Sequence, residues 1–369
     1  MTALTTTLPT GTGQKHLILL GAGRSHLDVL AQWAVHPMAG VQVTLIAPHP
    51  RQLHHAMLSG FVAGHFTLDE CQMALEPLIH NSGIRWLGRH AVGLDAQART
   101  VLLDDGSKLP YDWLSINTGL TQDRSRIDAA LPGAREYGLF VRPLETFATL
   151  WPRVTELPDD AARSVAVIGG DTTSIELAMA IRHRLPVAAV TLVTGGEPVA
   201  AHCSPAMQRR VTGALKKRRI TVLVDKAVGL QRGQALLGCG AQLACDVPVL
   251  VTGAQAPAWL ATSGLALDEQ GLIVVDACQR ASNHANVFAA ARVATSSIDA
   301  ALAPNLAAAM AGLEPRVYLA RADSVQLLSC ADRSAIASWR GLSVQGRWVG
   351  LLKDWVDQRF IRAHTKPAV

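Results

Sequence analysis

The stretch KHLILLGAGRSHLDVL, residues 15–30, contains the pattern that decides the fold. Its apolar run at residues 17–20 is typical of a strand that is buried on both faces. A glycine-rich turn follows at residues 21–25, and a helix pattern begins at His26. This order predicts a dinucleotide-binding unit, because glycines let a pyrophosphate approach the backbone and the helix N-terminus offers free N–H groups. His26 stands where a third glycine is expected, so an ordinary strand-to-helix turn stays open on this motif alone.

Composition limits the classes of protein. With 369 residues and 49% hydrophobic side chains, the chain can bury more than one core, which predicts two or more domains. Three tyrosines and six phenylalanines argue against a nucleic-acid partner whose bases stack on aromatic rings. The sequence has neither an apolar span of about 18 residues nor a leader pattern, so we expect a cytoplasmic protein with residues 1–14 as a disordered tail.

The strand–turn–helix pattern occurs a second time, about 150 residues further on. An apolar run at 165–168 precedes Gly169, Gly170 and Asp171, and a helix pattern follows. Two further strands in the chain end in the same small-residue turn, one at Thr118–Gly119 and one at Thr252–Gly253. Two nucleotide-binding modules in one chain are a much more specific signal than one.

Residues near the C-terminus and four histidines leave alternatives open. The segment 346–362 predicts an amphipathic helix whose apolar stripe follows the spacing of one helical face, with basic flanks. It suits either a helix at a membrane interface or one that packs on its own domain or a second subunit. His49, His54, His55 and His65 lack the Cys or carboxylate neighbours of a metal site, so we interpret them as solvated or capping residues and expect no metal.

Taken together, the chain resembles the FAD-dependent pyridine nucleotide-disulfide oxidoreductases, in particular the branch related to type II NADH dehydrogenases that is also found fused to selenide, water dikinase. The resemblance implies an α/β fold with two Rossmann-like, three-layer ββα domains, the second inserted into the first. The implied FAD domain comprises residues 15–143 and 249–312, the NAD(P)-binding-like domain residues 144–248, and the C-terminal region with its amphipathic helix residues 313–369.

The resemblance also implies site residues. Those expected at FAD are Gly21, Ala22, Gly23, Arg24, Ser25, His26, Thr118, Gly119 and Arg292. Those expected at NAD(P)H are Gly169, Gly170, Glu176, Thr252 and Gly253. The implied reaction passes electrons from NAD(P)H through the flavin to a second acceptor, a quinone or another small molecule. Contact with the inner face of a membrane, or dimerisation, is expected through residues 346–362. The resemblance leaves three questions open: whether the donor is NADH or NADPH, which residues are catalytic, and what the oligomeric state is.

Three departures from the family pattern support an alternative. Asp171 and Ser174 replace glycines of the second module, and the Asp171 carboxylate would repel a pyrophosphate. Arg292 replaces the aspartate that normally anchors the flavin's ribityl chain. The cysteines are scattered, without the redox pair of a disulfide reductase. The alternative is a degenerate flavoprotein that no longer binds NAD(P)H, or a non-catalytic module or partner subunit of the same fold. In the further version of this alternative, FAD binding is lost as well.

Overall fold

The fold was analysed in a computed structural model, which describes residues 14–80, 82–157, 164–290, 293, 302–317 and 325–365. Two mainly parallel sheets, each covered by helices on one face and by a three-stranded meander on the other, form the body of the molecule. The predicted pair of three-layer ββα modules is therefore confirmed. The predicted tail lies almost entirely outside the described residues.

The first module contains most elements of the N-terminal third. They are β1 (Lys15–Leu20), α1 (Arg24–Val35), β2 (Val41–Ile46), β3 (Arg51–Leu53), α2 (Leu58–Val62), β4 (Gln72–Ala74), α3 (Glu76–His80), β5 (Arg85–Leu87), β6 (Ala91–Asp95), β7 (Thr100–Leu103), β8 (Lys108–Pro110) and β9 (Trp113–Ile116). Strands β1, β2, β5 and β9 are parallel, and β1 lies at the centre of the sheet. Its side chains from Leu17 to Leu20 are at most 1% exposed, as expected for a strand covered on both faces.

The second module repeats this arrangement. Its elements are β10 (Thr121–Gln122), α4 (Arg124–Ala130), α5 (Ala134–Tyr137), β11 (Leu139–Phe140), α6 (Leu144–Thr155), β12 (Ser164–Ile168), α7 (Thr172–Arg184), β13 (Ala189–Val193), α8 (Pro205–Lys217), β14 (Thr221–Leu223), β15 (Ala227–Gln231), β16 (Gln234–Leu237), β17 (Gln242–Ala244), β18 (Val247–Leu250) and β19 (Ala254–Gln255). The sheet order is β11-β18-β12-β13-β14, and β15–β17 form the meander.

The chain then returns to the first sheet. Strands β20 (Arg280–Ala281) and β21 (His284–Ala289) complete that sheet, where β21 lies parallel to β9, and α9 (Leu302–Met310) packs on α1. The first sheet thus draws strands from both sides of the second module. The domain limits 15–143, 144–248 and 249–312 stay a prediction; β11, before residue 144, and β18, which extends past residue 248, both lie in the second sheet.

The C-terminal region consists of an antiparallel sheet and a long helix. Its elements are β22 (Gln326–Ser329), β23 (Ala335–Trp339), β24 (Leu342–Gly346) and α10 (Arg347–Thr365). Helix α10 packs on β23, β4 and α1, so it closes over the first module. Among the described residues, no helix combines the length and the apolar character that crossing a bilayer requires.

Helix α10 forms where it was predicted, but its buried face combines the apolar Val349 and Ile361 with charged residues. Lys353 and Asp357 are only 8% and 7% exposed, whereas Trp348 and Leu351 are 60% and 64% exposed. The alternative in which this helix packs on its own domain is therefore confirmed by its contacts with α1 and β4, but most of the predicted apolar stripe does not take part in that packing. The reason is that both buried charges have partners: Lys353 Nζ donates to Ala56 O at 2.7 Å and to Asp357 Oδ2 at 2.9 Å.

Candidate functional site

The glycine turn between β1 and α1 is held against the turn that follows β9. Gly23 N–H donates to Asn117 O at 3.2 Å, and Gly21 N–H donates to Ile46 O at 2.8 Å. A Cβ at Gly21, where φ is +89°, would lie 2.6 Å from Thr118 Cα, and one at Gly23 would lie 2.8 Å from Asn117 O. Both positions therefore require glycine for the contact between the two turns as well as for any ligand.

A cavity of about 580 Å³ opens beside these two turns, at the carboxyl ends of the parallel strands. This volume lies within the range of about 300–1,000 Å³ that is typical of ligand pockets. Six of the residues predicted to bind FAD line it, namely Gly21, Ala22, Gly23, Arg24, Thr118 and Gly119. The structure thus brings these six together around one volume. Arg292, also predicted at FAD, lies outside the described residues.

Polar and charged groups in the cavity wall suit an anionic dinucleotide. Asn117 Nδ2 and Thr118 Oγ1 are buried and have no hydrogen-bond partner among the described residues. Such buried polar atoms are costly unless a ligand or water satisfies them. Arg24, Arg89 and Arg142 also line the cavity, and Glu145 is the single carboxylate among the described residues of the wall. The positive charge favours a pyrophosphate, and these residues fit FAD.

Two residues predicted at FAD lie behind the turn instead. Ser25 and His26 are fully buried, and neither lines the cavity. The His26 ring lies between Gly21 O, which accepts from Nδ1–H at 2.5 Å, and the Ser115 hydroxyl, which donates to Nε2 at 2.8 Å. Burial lowers the pKa of His26 to about 4, so the ring is neutral at pH 7. In place of the third glycine, His26 fixes the turn to the sheet.

The turn of the second module carries its own carboxylate. Asp171 is the N-cap of α7, and its Oδ1 accepts from Ser174 N–H at 2.8 Å and from Ser174 Oγ at 2.6 Å. A Cβ at Gly170 would lie 2.5 Å from Thr194 O, so this turn is also tightly packed. The Asp171 carboxylate accepts one of the free N–H groups at this helix end, and its negative charge opposes a pyrophosphate bound there.

The other residues predicted at NAD(P)H lie in two places. Thr252 and Gly253 adjoin the second turn, since Thr252 N–H donates to Ile168 O at 3.0 Å. Glu176 points away from them, toward the C-terminal sheet, where its Oε1 accepts from Ser329 N–H at 2.6 Å. Burial raises the pKa of Glu176 to about 7, and the nearby Lys353 partly offsets that effect.

Several residues of the cavity wall escaped the sequence analysis. His49, His54 and His55 line the cavity, and His54 is only 7% exposed, so the interpretation of these histidines as solvated or capping is wrong for His54. Phe360 on α10 also lines the cavity. One sequence signal could have identified Phe360 as a residue of this site. The spacing of Lys353, Asp357 and Phe360 places all three on one side of a helix.

Comparisons with known proteins agree with this architecture. The family model described as pyridine nucleotide-disulphide oxidoreductase matches residues 15–311. The chain is 31% identical over 178 residues to the ferredoxin–NAD(+) reductase component of the p-cumate 2,3-dioxygenase system of Pseudomonas putida, a match that covers 45% of this chain and 40% of that protein. It is 25% identical over 294 residues to an NADH dehydrogenase-like protein of Mycobacterium tuberculosis, covering 76% of this chain and 70% of the relative. The chain thus spans less than half of the length of the first of these relatives.

Two solved structures share the fold across nearly the whole chain. The sulfide:quinone oxidoreductase of Aquifex aeolicus has a TM-score of 0.78 at 18% identity, covering 95% of this chain and 91% of that one. The structure of NDH2 from Plasmodium falciparum in complex with NADH has a TM-score of 0.76 at 11% identity, covering 95% and 97%. With the family match over most of the sequence, the conclusion is that this chain belongs to the FAD-dependent pyridine nucleotide-disulphide oxidoreductase family.

Proposed function

We propose that the chain is a FAD-dependent oxidoreductase that passes electrons from NAD(P)H through the flavin to a quinone or a similar small acceptor. The observation that carries the proposal is the 580 Å³ cavity, where the glycine turn, two unsatisfied polar atoms and three arginines meet. FAD supplies the electron-transfer chemistry when bound, and the protein holds and orients it. Gly21, Gly23 and Arg24 would hold the pyrophosphate, and Asn117 and Thr118 would donate to the polar groups beside it.

The outer face of α10 supports a quinone as the acceptor. Trp348, Leu351, Leu352, Trp355 and Val356 are between 41% and 64% exposed and form one apolar stripe. Arg347 and Arg359, on the same helix, carry the positive charge that anionic lipid headgroups attract. The same helix places Phe360 in the wall of the large cavity. A protein that binds a membrane through this stripe would receive an apolar acceptor directly from the bilayer. For a cytoplasmic protein, the membrane surface in question is the inner face.

Asp171 favours a second candidate function, a flavoprotein that takes its electrons from a donor other than NAD(P)H. The carboxylate at the start of α7 opposes an incoming pyrophosphate. Against this candidate, relatives of the chain are described as a ferredoxin–NAD(+) reductase component and as NADH dehydrogenase-like. The two candidates agree on the flavin and differ in the reductant.

An absorbance spectrum of the purified protein, recorded anaerobically before and after NADH or NADPH, tests the proposal. A flavin band that bleaches, and returns when a short-chain quinone is added, supports the full reaction. A band that bleaches with dithionite but with neither nicotinamide supports the second candidate. A protein that stays colourless after incubation with FAD contradicts both candidates.

A further inference from the structure

A buried histidine–carboxylate pair stands in the wall of the large cavity. His54 Nε2 lies 3.3 Å from Asp357 Oδ1, and each residue is only 7% exposed. Phe360 stacks on the His54 ring, with centroids 4.8 Å apart and planes at 23°. The backbone is fixed as well, since His54 N–H donates to Cys71 O at 2.8 Å. The imidazole therefore has one orientation, with one nitrogen held by a carboxylate, as in the histidine–aspartate pairs that transfer protons in enzymes.

Further charged groups continue from this pair toward a second cavity. Asp357 Oδ2 accepts from Lys353 Nζ at 2.9 Å, and Lys353 interacts with the carboxylate of Glu176 on α7. Lys353 and Asp357 line the second cavity, whose volume of about 20 Å³ suits a single water molecule. Ser59 Oγ, also in that wall, is buried and has no hydrogen-bond partner among the described residues, so it would satisfy such a water. Ionisable groups thus connect the two cavities.

The charges around the pair keep Asp357 ionised. Burial alone would raise the pKa of Asp357, but the hydrogen bond from His54 and the charge of Lys353 outweigh burial and lower it. Burial likewise opposes the charge on Lys353, but Glu176 and Asp357 outweigh it and raise the Lys353 pKa. On the other sides of His54, Arg24 lies over Phe360, His364 packs against Phe360, and burial raises the pKa of Cys71 to about 12, so that it stays a thiol.

We propose that His54 gives a proton to the acceptor that is reduced in the large cavity, and that Asp357 positions its ring for this transfer. The inference rests on the proposed function. Reduction of a quinone by NAD(P)H consumes one proton from solvent: NAD(P)H supplies two electrons and one proton as a hydride equivalent, and the second proton must come from elsewhere.

In the proton transfer from His54, an imidazolium N–H bond breaks and an O–H bond forms on the acceptor. Because Asp357 holds Nε2, we assign the transfer to Nδ1. After the transfer the ring keeps the Nε2–H that Asp357 accepts, and Nδ1 regains its proton from water in the large cavity, which His54 lines.

The test uses the full-length, flavin-loaded protein reduced anaerobically and mixed with a short-chain quinone between pH 6 and 9. With the rate expressed per bound flavin, His54→Gln should slow flavin reoxidation about 100-fold and leave the KM for quinone unchanged. Asp357→Asn should slow it less. Imidazole added to His54→Ala should restore part of the rate, which a purely structural role would not allow. The matched control is His364→Gln, because His364 also packs against Phe360 but pairs with Asp28 and does not line the cavity.

A second readout does not depend on turnover. In the ¹H–¹⁵N spectrum of histidine-labelled protein, the hydrogen-bonded ring N–H of His54 should disappear in Asp357→Leu, which offers no acceptor, and persist in His364→Gln. If wild-type protein reduces the quinone and His54→Gln does so at the same rate and pH profile, the role of His54 is overturned while the proposed function stands. If the wild-type protein binds flavin but reduces no quinone, the proposed function fails first, and the role of His54 fails with it.

Discussion

The guanidinium carbon of Arg24 lies 4.6 Å from the centre of the Phe360 ring. Arg24 begins α1 directly after the glycine turn, and Phe360 is close to the end of α10, so this contact joins the first motif of the chain to its last helix. Both side chains line the large cavity. Phe360 is itself fixed between the rings of His54 and His364, at 4.8 and 4.2 Å. The C-terminal helix therefore holds a cation in place at the expected pyrophosphate site.

Replacing Phe360 should weaken FAD binding without changing the fold. Phe360→Leu keeps an apolar side chain but removes the ring face, and a cation–π contact of about 0.5–2 kcal/mol corresponds to a Kd raised about 2–30-fold. Phe360→Tyr should retain the wild-type Kd. The control is Trp355→Leu. Trp355 makes the same kind of cation–π contact, with the guanidinium carbon of Arg359 5.2 Å from its ring centre, but it does not line the cavity. Quenching of FAD fluorescence measures the four values, and equal Kd values for all would contradict the role of the ring.

The contact between the two turns predicts the effect of a single methyl group. Gly23→Ala places a Cβ 2.8 Å from Asn117 O, which is backbone and cannot move aside, so we expect a loss of about 1–3 kcal/mol in the free energy of unfolding. Gly213→Ala is the matched control, since Gly213 lies within α8 and its Cβ would meet no atom within 4 Å. That control should gain up to about 1 kcal/mol. Urea unfolding compares them, and an unchanged midpoint for Gly23→Ala would be incompatible with the packing described.

How far the sequence predicts the structure depends on how local the cause is. The strand, turn and helix at 15–30 follow from periodicity and glycine placement within a few residues, so they could be predicted. The N-cap role of Asp171 is local as well, because its partner Ser174 is three residues away. The buried face of α10 could not be predicted in this way. Asp357 is buried because it meets His54, about 300 residues earlier in the chain. Periodicity identifies the two faces of a helix, but only the tertiary partners decide which face turns inward.

The buried His26 predicts a loss of stability at low pH. Its pKa is lowered to about 4 in the folded protein, against an ordinary value of 6.5, so between these pH values the unfolded chain binds a proton that the folded chain does not. Stability is therefore lost as the pH falls from 6.5 to 4, by up to about 3 kcal/mol. His26→Gln removes this contribution and should flatten the curve over that window. Unfolding in urea at pH 7, 5.5 and 4.5 measures it; parallel pH curves for the two proteins would rule out His26 as the cause.

The apolar stripe on α10 predicts binding to lipid. The triple variant Trp348→Ser, Leu351→Ser, Trp355→Ser removes three of its most exposed side chains and should reduce co-sedimentation with phosphatidylglycerol vesicles at least tenfold. Wild-type binding should also weaken as salt rises, because arginines flank the stripe. Val187→Ser is the control, since Val187 is 72% exposed but lies outside α10. The stripe would instead bind a second copy of the chain if the wild-type protein does not bind vesicles and elutes as a dimer. In that case the triple variant should elute as a monomer.

A substitution at Asp171 tests directly whether the second module has lost the ability to bind NAD(P)H. Its carboxylate accepts from Ser174 at the start of α7, so Asp171→Ala should cost about 1 kcal/mol of stability through the lost cap. The same change removes a negative charge from the helix end where a pyrophosphate would bind, and it should therefore tighten NAD(P)H binding by about tenfold. Ser204→Ala separates the two effects, because Ser204 caps α8 in the same way through Met207 N–H but lies at no dinucleotide turn. Calorimetric titration of NADH and NADPH into the three proteins measures the difference. If Asp171→Ala gains no affinity over Ser204→Ala, the carboxylate is not what opposes the nucleotide.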